Sequence, residues 1–262
     1  MPDIKGLEWT FDTNAKTYEK MRPGYPDGLY REIFEYLPLS ASSSCVEIGI
    51  GGGQATKPIL KTGCSVTAVE RGSHFTDICR DKFRMYPSFT CVNTRFEDFA
   101  VQAQSVDLVF AASSFHWIEE EFGYKKVYSM LKKGGAFARF ANHPYKDKSQ
   151  EDLDREIQKA YAKYMPGSKM SPEYTMENAQ SRAEIGRKYG FTDIKAHIFK
   201  RIRTFTAEEY ILLLSTYSDH IAIEEETRKR FFSEIQAAIH AFGGKINIFD
   251  TIDLALMRKP EK

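Results

Sequence analysis

Between residues 45 and 54 an apolar run breaks into glycines, and that junction constrains the chain more than any other stretch. Cys45-Val46-Glu47-Ile48-Gly49 reads as a buried strand, and Ile50-Gly51-Gly52-Gly53-Gln54 leads into a helix. Such a turn exposes backbone N–H groups at a helix start, where they receive electronegative atoms, and glycine lets a ligand approach them closely. A tight strand-to-helix turn needs one or two glycines, whereas this one holds four, at 49, 51, 52 and 53. Pro58 shortens the helix that follows, because it lacks an N–H.

Strand-like and helical runs alternate from there. Ser65–Glu70 is a second strand, followed by a helix over Ser73–Met85 and a third strand around Ser88–Val92. Val106–Ala112 is the fourth strand, a helix covers Gly123–Leu131, and Ala136–Phe140 is the fifth strand after a turn at Lys133-Gly134-Gly135. The alternation implies right-handed crossovers and a mostly parallel α/β sheet covered on both faces. Beyond Phe140 come a helix over Gln150–Met165, a strand over Phe191–Phe199, a helix-rich stretch over Thr206–Ala241 and a last strand at Asn247–Met257. The expected layout is one domain over 1–262, with a sheet core at about 44–140 and 190–260. Cap helices at about 1–37, 141–188 and 206–241 surround it, some roofing the ligand site beyond the strand ends.

A dinucleotide fingerprint G-x-G-x-x-G needs Gly or Ala at 54 or 56, but Gln54 and Thr56 stand there. The stretch instead reads acidic-x-G-x-G-x-G, from Glu47 through Gly49 and Gly51 to Gly53. On this motif the chain resembles the Rossmann-like S-adenosylmethionine-dependent methyltransferases, which implies a seven-stranded sheet and S-adenosylmethionine as cofactor. Glu70 ends the second strand about twenty residues on, where a carboxylate accepts hydrogen bonds from both ribose hydroxyls. The resemblance implies that role for Glu70, with Arg71 beside it; an ordinary surface acid is the alternative.

Where the family places an acidic and a small residue around adenine, this chain has Arg95 and Phe96, a departure that leaves backbone contacts or stacking of Phe96 on the base. Ala111, Ala112 and Ser113 match the small residues expected at the fourth strand end, near the transferable methyl, and His116-Trp117 follows as in many family members. Trp117 suits the neighbourhood of a sulfonium cation; packing and chemical roles stay open for both residues. If the acceptor needs a general base, His116 and His143 are the candidates, since histidine titrates near neutrality.

Phe11, Ala15, Tyr18, Arg22, Pro23, Tyr25 and Pro26 reproduce the spacing F-x3-A-x2-Y-x3-R-P-x-Y-P. This stretch resembles the branch that includes trans-aconitate methyltransferase and implies that Tyr18 and Arg22 close over the cofactor's methionine end. Without it, Arg22 reads as a surface charge.

Composition bounds the partners. Lys plus Arg total 37 against 36 Asp plus Glu, so the basic surplus that marks nucleic-acid binders is missing. No window approaches the length of a membrane span, and MPDIKGLEWTFD lacks the basic and apolar regions of a secretory signal. Cys45, Cys64, Cys79 and Cys91 form no C-x-x-C pair and read as reduced thiols, with no metal site. The expectation is a cytoplasmic enzyme, monomer or homodimer, that methylates a small molecule, a carboxylic acid or a hydroxyl. A cofactor-binding regulator and, further off, an NAD-dependent oxidoreductase are the rivals.

Overall fold

The structure is a computed structural model and describes residues 14–145, 148–168 and 172–261. Phe11, in the N-terminal spacing, lies outside the described residues, as do the first residues of the 1–37 cap. In chain order the elements are α1 (Ala15–Met21), α2 (Asp27–Tyr36), β1 (Ser44–Ile48), α3 (Thr56–Leu60), β2 (Ser65–Glu70) and α4 (Ser73–Lys82). Next come β3 (Phe89–Asn93), β4 (Val106–Ala112), α5 (Glu120–Met130), β5 (Leu131–Tyr145), α6 (Glu151–Tyr164) and α7 (Met176–Glu184). The chain finishes with β6 (Thr192–Thr206), α8 (Ala207–Leu214), α9 (Ser218–Ile221), α10 (Glu225–Ala241) and β7 (Lys245–Arg258).

The strands form a seven-stranded, mostly parallel sheet in the order β3-β2-β1-β4-β5-β7-β6, with β1–β2, β1–β4, β2–β3 and β4–β5 all paired parallel. The chain moves outward from β1 through β2 to β3, then returns to place β4 on β1's other side. Strand order reverses there, and the crevice beyond the carboxyl ends of β1 and β4 is where open α/β sheets take ligands.

Contacts divide the chain into two compact units, one of Pro23–Asn142, Thr175–Phe199 and Ile252–Lys262, the other of Met1–Arg22, His143–Tyr174 and Lys200–Thr251. We call them the sheet unit and the helical unit; β5, β6 and β7 have residues in both. In the sheet unit, alternate strand residues enter two separate cores. Cys45, Val66, Leu108 and Phe110 pack with Leu29, Ile33 and Ile59 of α2 and α3, while Val46, Ile48, Val69 and Val109 pack with Tyr124, Val127 and Met130 of α5. Apolar residues at both phases of a period-2 pattern are what a sheet covered on both faces requires. Each fully buried Val, Leu, Ile or Phe contributes about 1.5–3 kcal/mol.

The helical unit has its own core, in which Leu153, Ile157 and Ala160 of α6 meet Phe231, Ile235 and Ile239 of α10. Both sets recur at helical spacing, one stripe on each helix. His220 is buried there, its Nδ1 2.7 Å from Asp219 Oδ1 and its Nε2 2.9 Å from the Tyr161 hydroxyl.

Several boundaries move. Pro58 sits within the first turn of α3, where N–H groups have no intrahelical partner, so its missing donor costs nothing there. The expected turn at 133–135 lies within β5. The β4–β5 register shifts between Val106 and Leu108, Gly134 takes φ +75°, and the bulge is absorbed in the strand. β5 runs on to Tyr145, past the expected start of a cap at 141. β6 extends to Thr206 because Arg201 and Arg203, two apart and so on one side of the strand, both reach the buried Asp250 carboxylate. Helix α7, expected among the caps, belongs to the sheet unit.

Candidate functional site

The glycine loop leaves β1 with three residues at positive φ, Gly49 at +67°, Gly51 at +53° and Gly53 at +73°. A Cβ at Gly49 would stand 2.7 Å from Ser114 Cβ, and one at Gly53 would stand 2.6 Å from Phe83 Cε2. Glycine is therefore demanded twice over, by dihedral and by space. Helix α4 holds the far side of the loop. Cys79 Sγ donates to the Gly51 carbonyl at 3.1 Å and Lys82 Nζ donates to the Gly52 carbonyl at 2.8 Å. Cys79 and Lys82 lie three residues apart and so share a helix face.

Glu70, at the end of β2, is 7% exposed and binds the loop from the other side. Its Oε2 accepts the Gly51 N–H at 2.9 Å and its Oε1 accepts the Gly72 N–H at 2.8 Å. A carboxylate has about four lone-pair sites, and these two donors use two of them. Arg71 next to it is exposed.

Glu47 lies buried in β1. Its Oε2 accepts from Thr56 Oγ1 at 2.7 Å, and its Oε1 is buried with no hydrogen-bond partner. Burial pushes its carboxyl up to about 8; the Thr56 hydroxyl pulls the other way and the nearby Glu70 adds to the rise. At neutral pH this carboxyl is protonated.

The end of β4 faces the same crevice. Ser113 takes φ +56°, uncommon for a residue with a side chain and a mark of backbone held by its surroundings. Its N–H donates to the Phe140 carbonyl at 2.8 Å, while its Oγ accepts the Asn142 N–H at 3.2 Å and lies 2.9 Å from the Tyr25 hydroxyl. Ser114 Oγ donates to the Ile48 carbonyl, tying the loop after β4 to the end of β1. Ala112 is half-buried, but the Ala111 side chain is fully buried in the α5-side core, so only its backbone belongs to the strand end. Phe115–Trp117 form a single 3-10 turn in which Phe115 is buried, Trp117 is half-buried and His116 is exposed, the last two rings 5.1 Å apart.

Phe96 corrects an expectation. Its ring is 6% exposed within the α5-side core, with Lys126 Nζ 5.0 Å from its centroid, so it is committed to packing and does not offer a stacking face for a base. Lys126 also donates to the Phe96 and Glu97 carbonyls at 2.6 and 2.9 Å. Arg95 is exposed, its Nε 3.5 Å from Glu97.

Tyr18, Arg22 and His143 fall in the helical unit. There Arg22 donates from Nη2 to the Thr216 carbonyl at 3.0 Å, and its guanidinium lies 4.9 Å from the Tyr18 ring and 4.2 Å from the Tyr217 ring. Its Nε is buried with no partner. The His143 ring stacks on Tyr174 at 3.8 Å. The two histidines considered as bases thus lie in different units.

The described residues contain no group of three or more His, Cys, Asp or Glu placed to hold a metal ion, and no helix long and apolar enough to cross a membrane. All four cysteines are buried free thiols.

Residues 46–138 match the family model for the methyltransferase domain. That match supports a Rossmann-like, S-adenosylmethionine-dependent methyltransferase. An uncharacterized methyltransferase of Schizosaccharomyces pombe is 25% identical to this chain over 236 residues, 88% of the chain and 87% of that protein. Among solved structures, a protein of Anaeromyxobacter dehalogenans assigned to the type II methyltransferases superposes with a TM-score of 0.64 at 20% identity, over 92% of this chain and 99% of that one. Phosphoethanolamine N-methyltransferase 2 of Haemonchus contortus, solved with S-adenosyl-L-methionine, gives 0.56 at 16% identity, over 98% of this chain and 59% of that one. At such identities the two structures bear on the fold. The loop is compatible with the cofactor, since Gly49, Gly51 and Gly53 all stand at positive φ at the end of β1 and Glu47, in that strand, leaves a buried oxygen unpartnered.

Sequence reasoning missed four contributors to this end of the sheet. Cys79 and Lys82 act on the loop from α4, Thr56 of α3 bonds to Glu47 of β1, and the Tyr25 hydroxyl meets Ser113. The spacing of Cys79 and Lys82 was a readable signal; the Tyr25–Ser113 contact joins distant parts of the chain and left none.

Proposed function

We propose that the chain is a cytoplasmic enzyme, one methyltransferase domain over 1–262, that methylates a carboxylic acid or a hydroxyl on a small molecule. The observation that carries this reading is the glycine loop, fixed at positive φ and held between Glu70 and α4. S-adenosylmethionine supplies an activated methyl carbon on sulfur. The backbone at Gly49, Gly51 and Gly53 receives the amino-acid end of the cofactor, above Glu47. Glu70 accepts the ribose hydroxyls, with Arg71 at the rim. The backbone at Arg95 and Phe96 borders the adenine. Ala112, Ser113 and the Ala111 backbone leave room at the end of β4, and Trp117 lines the approach.

The chain's remaining task is to hold a nucleophile in line and exclude water; positioning of this kind supplies on the order of 7–11 kcal/mol. A carboxylate acceptor is ionised at neutral pH and needs no base. For a hydroxyl, His116 is the candidate, exposed at the crevice and able to take a proton near neutrality.

Calorimetry with S-adenosylhomocysteine and with NAD tests the cofactor half, and a metabolite screen for methylated products tests the transfer. Binding of S-adenosylhomocysteine with methylated product is the expected result. A folded protein that takes up NAD instead refutes the reading.

A further inference from the structure

A second cluster stands at the same height of the sheet, on the α5 side. In the β4–β5 register Arg139 is opposite Ala111, one residue before the pair Ala112–Phe140 that closes β4. Its guanidinium is half-buried, 5.2 Å from the Phe115 ring, and its Nη1 donates to the Tyr124 hydroxyl at 2.9 Å. The Nε of Arg139 is buried and bonds to nothing. On the flank, Arg182 of α7 donates to Asp253 at 3.2 Å, its side chain 15% exposed, and Asp253 also accepts the Ala141 N–H at 3.0 Å.

A guanidinium taken from water ordinarily meets a carboxylate that fits its fork. Arg139 has a phenol hydroxyl for a partner, and the Asp253 carboxylate bonds to Arg182 and a backbone amide. Burial lowers the basicity of Arg139, the nearby Arg182 lowers it further, and Asp253 and Tyr124 offset only part of this. Arg139 itself thus lacks an anionic partner, and it lies beside the strand end that borders the proposed methyl site.

We propose that Arg139, flanked by Arg182, docks an anionic group of the methyl acceptor, a carboxylate or phosphate separate from the atom that is methylated. The inference rests on the methyltransferase reading and adds to it a substrate class, small organic anions, and the residues that select them. Arg139 is here a binding residue, and the Tyr124 hydroxyl and the Phe115 ring position its fork.

The test is calorimetry on the full chain saturated with S-adenosylhomocysteine. The probes are succinate and citrate for carboxylates, glycerol 3-phosphate for phosphates, and succinamide as a neutral match. Expected is binding of at least one anion and none of succinamide, with Arg139→Gln weakening the anion about tenfold or more and leaving S-adenosylhomocysteine affinity unchanged. Arg139→Lys keeps the charge but loses the fork, and falls between. Arg84→Gln, at an exposed guanidinium paired with Asp81, behaves as wild type. The carboxylate and phosphate arms show which anion is held. Equal anion binding by wild type and Arg139→Gln overturns the proposal, as does binding of succinamide alone or of no probe. If Arg139→Gln does not fold, undiminished anion binding by Arg139→Lys overturns it. Failure of S-adenosylhomocysteine itself to bind counts against the cofactor reading and is visible separately.

Discussion

Replacing Glu47 by Gln isolates the energetics of a buried acid under the glycine loop. The folded chain holds this carboxyl's proton up to about pH 8, because the charged form would be desolvated. In the unfolded chain the same group ionises near its ordinary value of 4.5. Between those values the folded state binds one more proton than the unfolded state, so stability falls as pH rises. The loss is about 1.4 kcal/mol for each pH unit in the window, on the order of 4–5 kcal/mol across it. The stabilising contribution is complete below pH 4.5 and gone above pH 8. Gln is neutral at every pH and its carbonyl oxygen can still accept the Thr56 hydroxyl. Its amide leaves buried donors unpaired, a pH-independent cost that shifts the variant's whole curve. The assay is thermal unfolding of both proteins from pH 4.5 to 9. The difference in Tm, variant minus wild type, should climb by on the order of 10 °C between pH 5 and 8 and then level off. A difference that stays flat across that range refutes the reasoning.

Three further predictions follow from single contacts. Glu70→Ala removes the acceptor for both Gly51 and Gly72 N–H groups; calorimetry should show S-adenosylhomocysteine binding weakened about tenfold or more in a protein that still unfolds cooperatively. Asp250→Ala leaves Arg201 and Arg203 without their buried carboxylate, and denaturant unfolding should register a loss of about 3–5 kcal/mol. His116→Ala should leave S-adenosylhomocysteine affinity within about twofold of wild type, since the side chain is exposed; unchanged turnover in that variant removes His116 as a base.

The parallel half of the sheet was legible because its strands are apolar at both phases, so Val66–Val69 and Leu108–Ala111 announce burial without help from context. Glycines 49, 51 and 53 were equally plain, because their spacing reflects a backbone requirement at each position. The long strands were harder. Arg201 and Arg203 look like solvent-facing residues until Asp250, far along the chain on another strand, supplies the charge that lets them turn inward. Phe96 misled for a related reason, since an aromatic ring in a ligand loop and one in a core look alike in sequence, and only the packing against Val46, Ile48 and Val69 separates them. Arg139 carried no signal, its interest arising entirely from what does not bond to Nε.

Helix α4 fixes the sense of the loop it supports. A planar trans peptide points its two polar ends in opposite directions, so drawing the Gly51 oxygen toward Cys79 turns the Gly52 hydrogen outward. The thiol thereby decides whether this stretch presents a donor or an oxygen. Deleting that thiol frees the 51–52 peptide to flip, and the harm would surface as lost affinity in a protein whose core is intact.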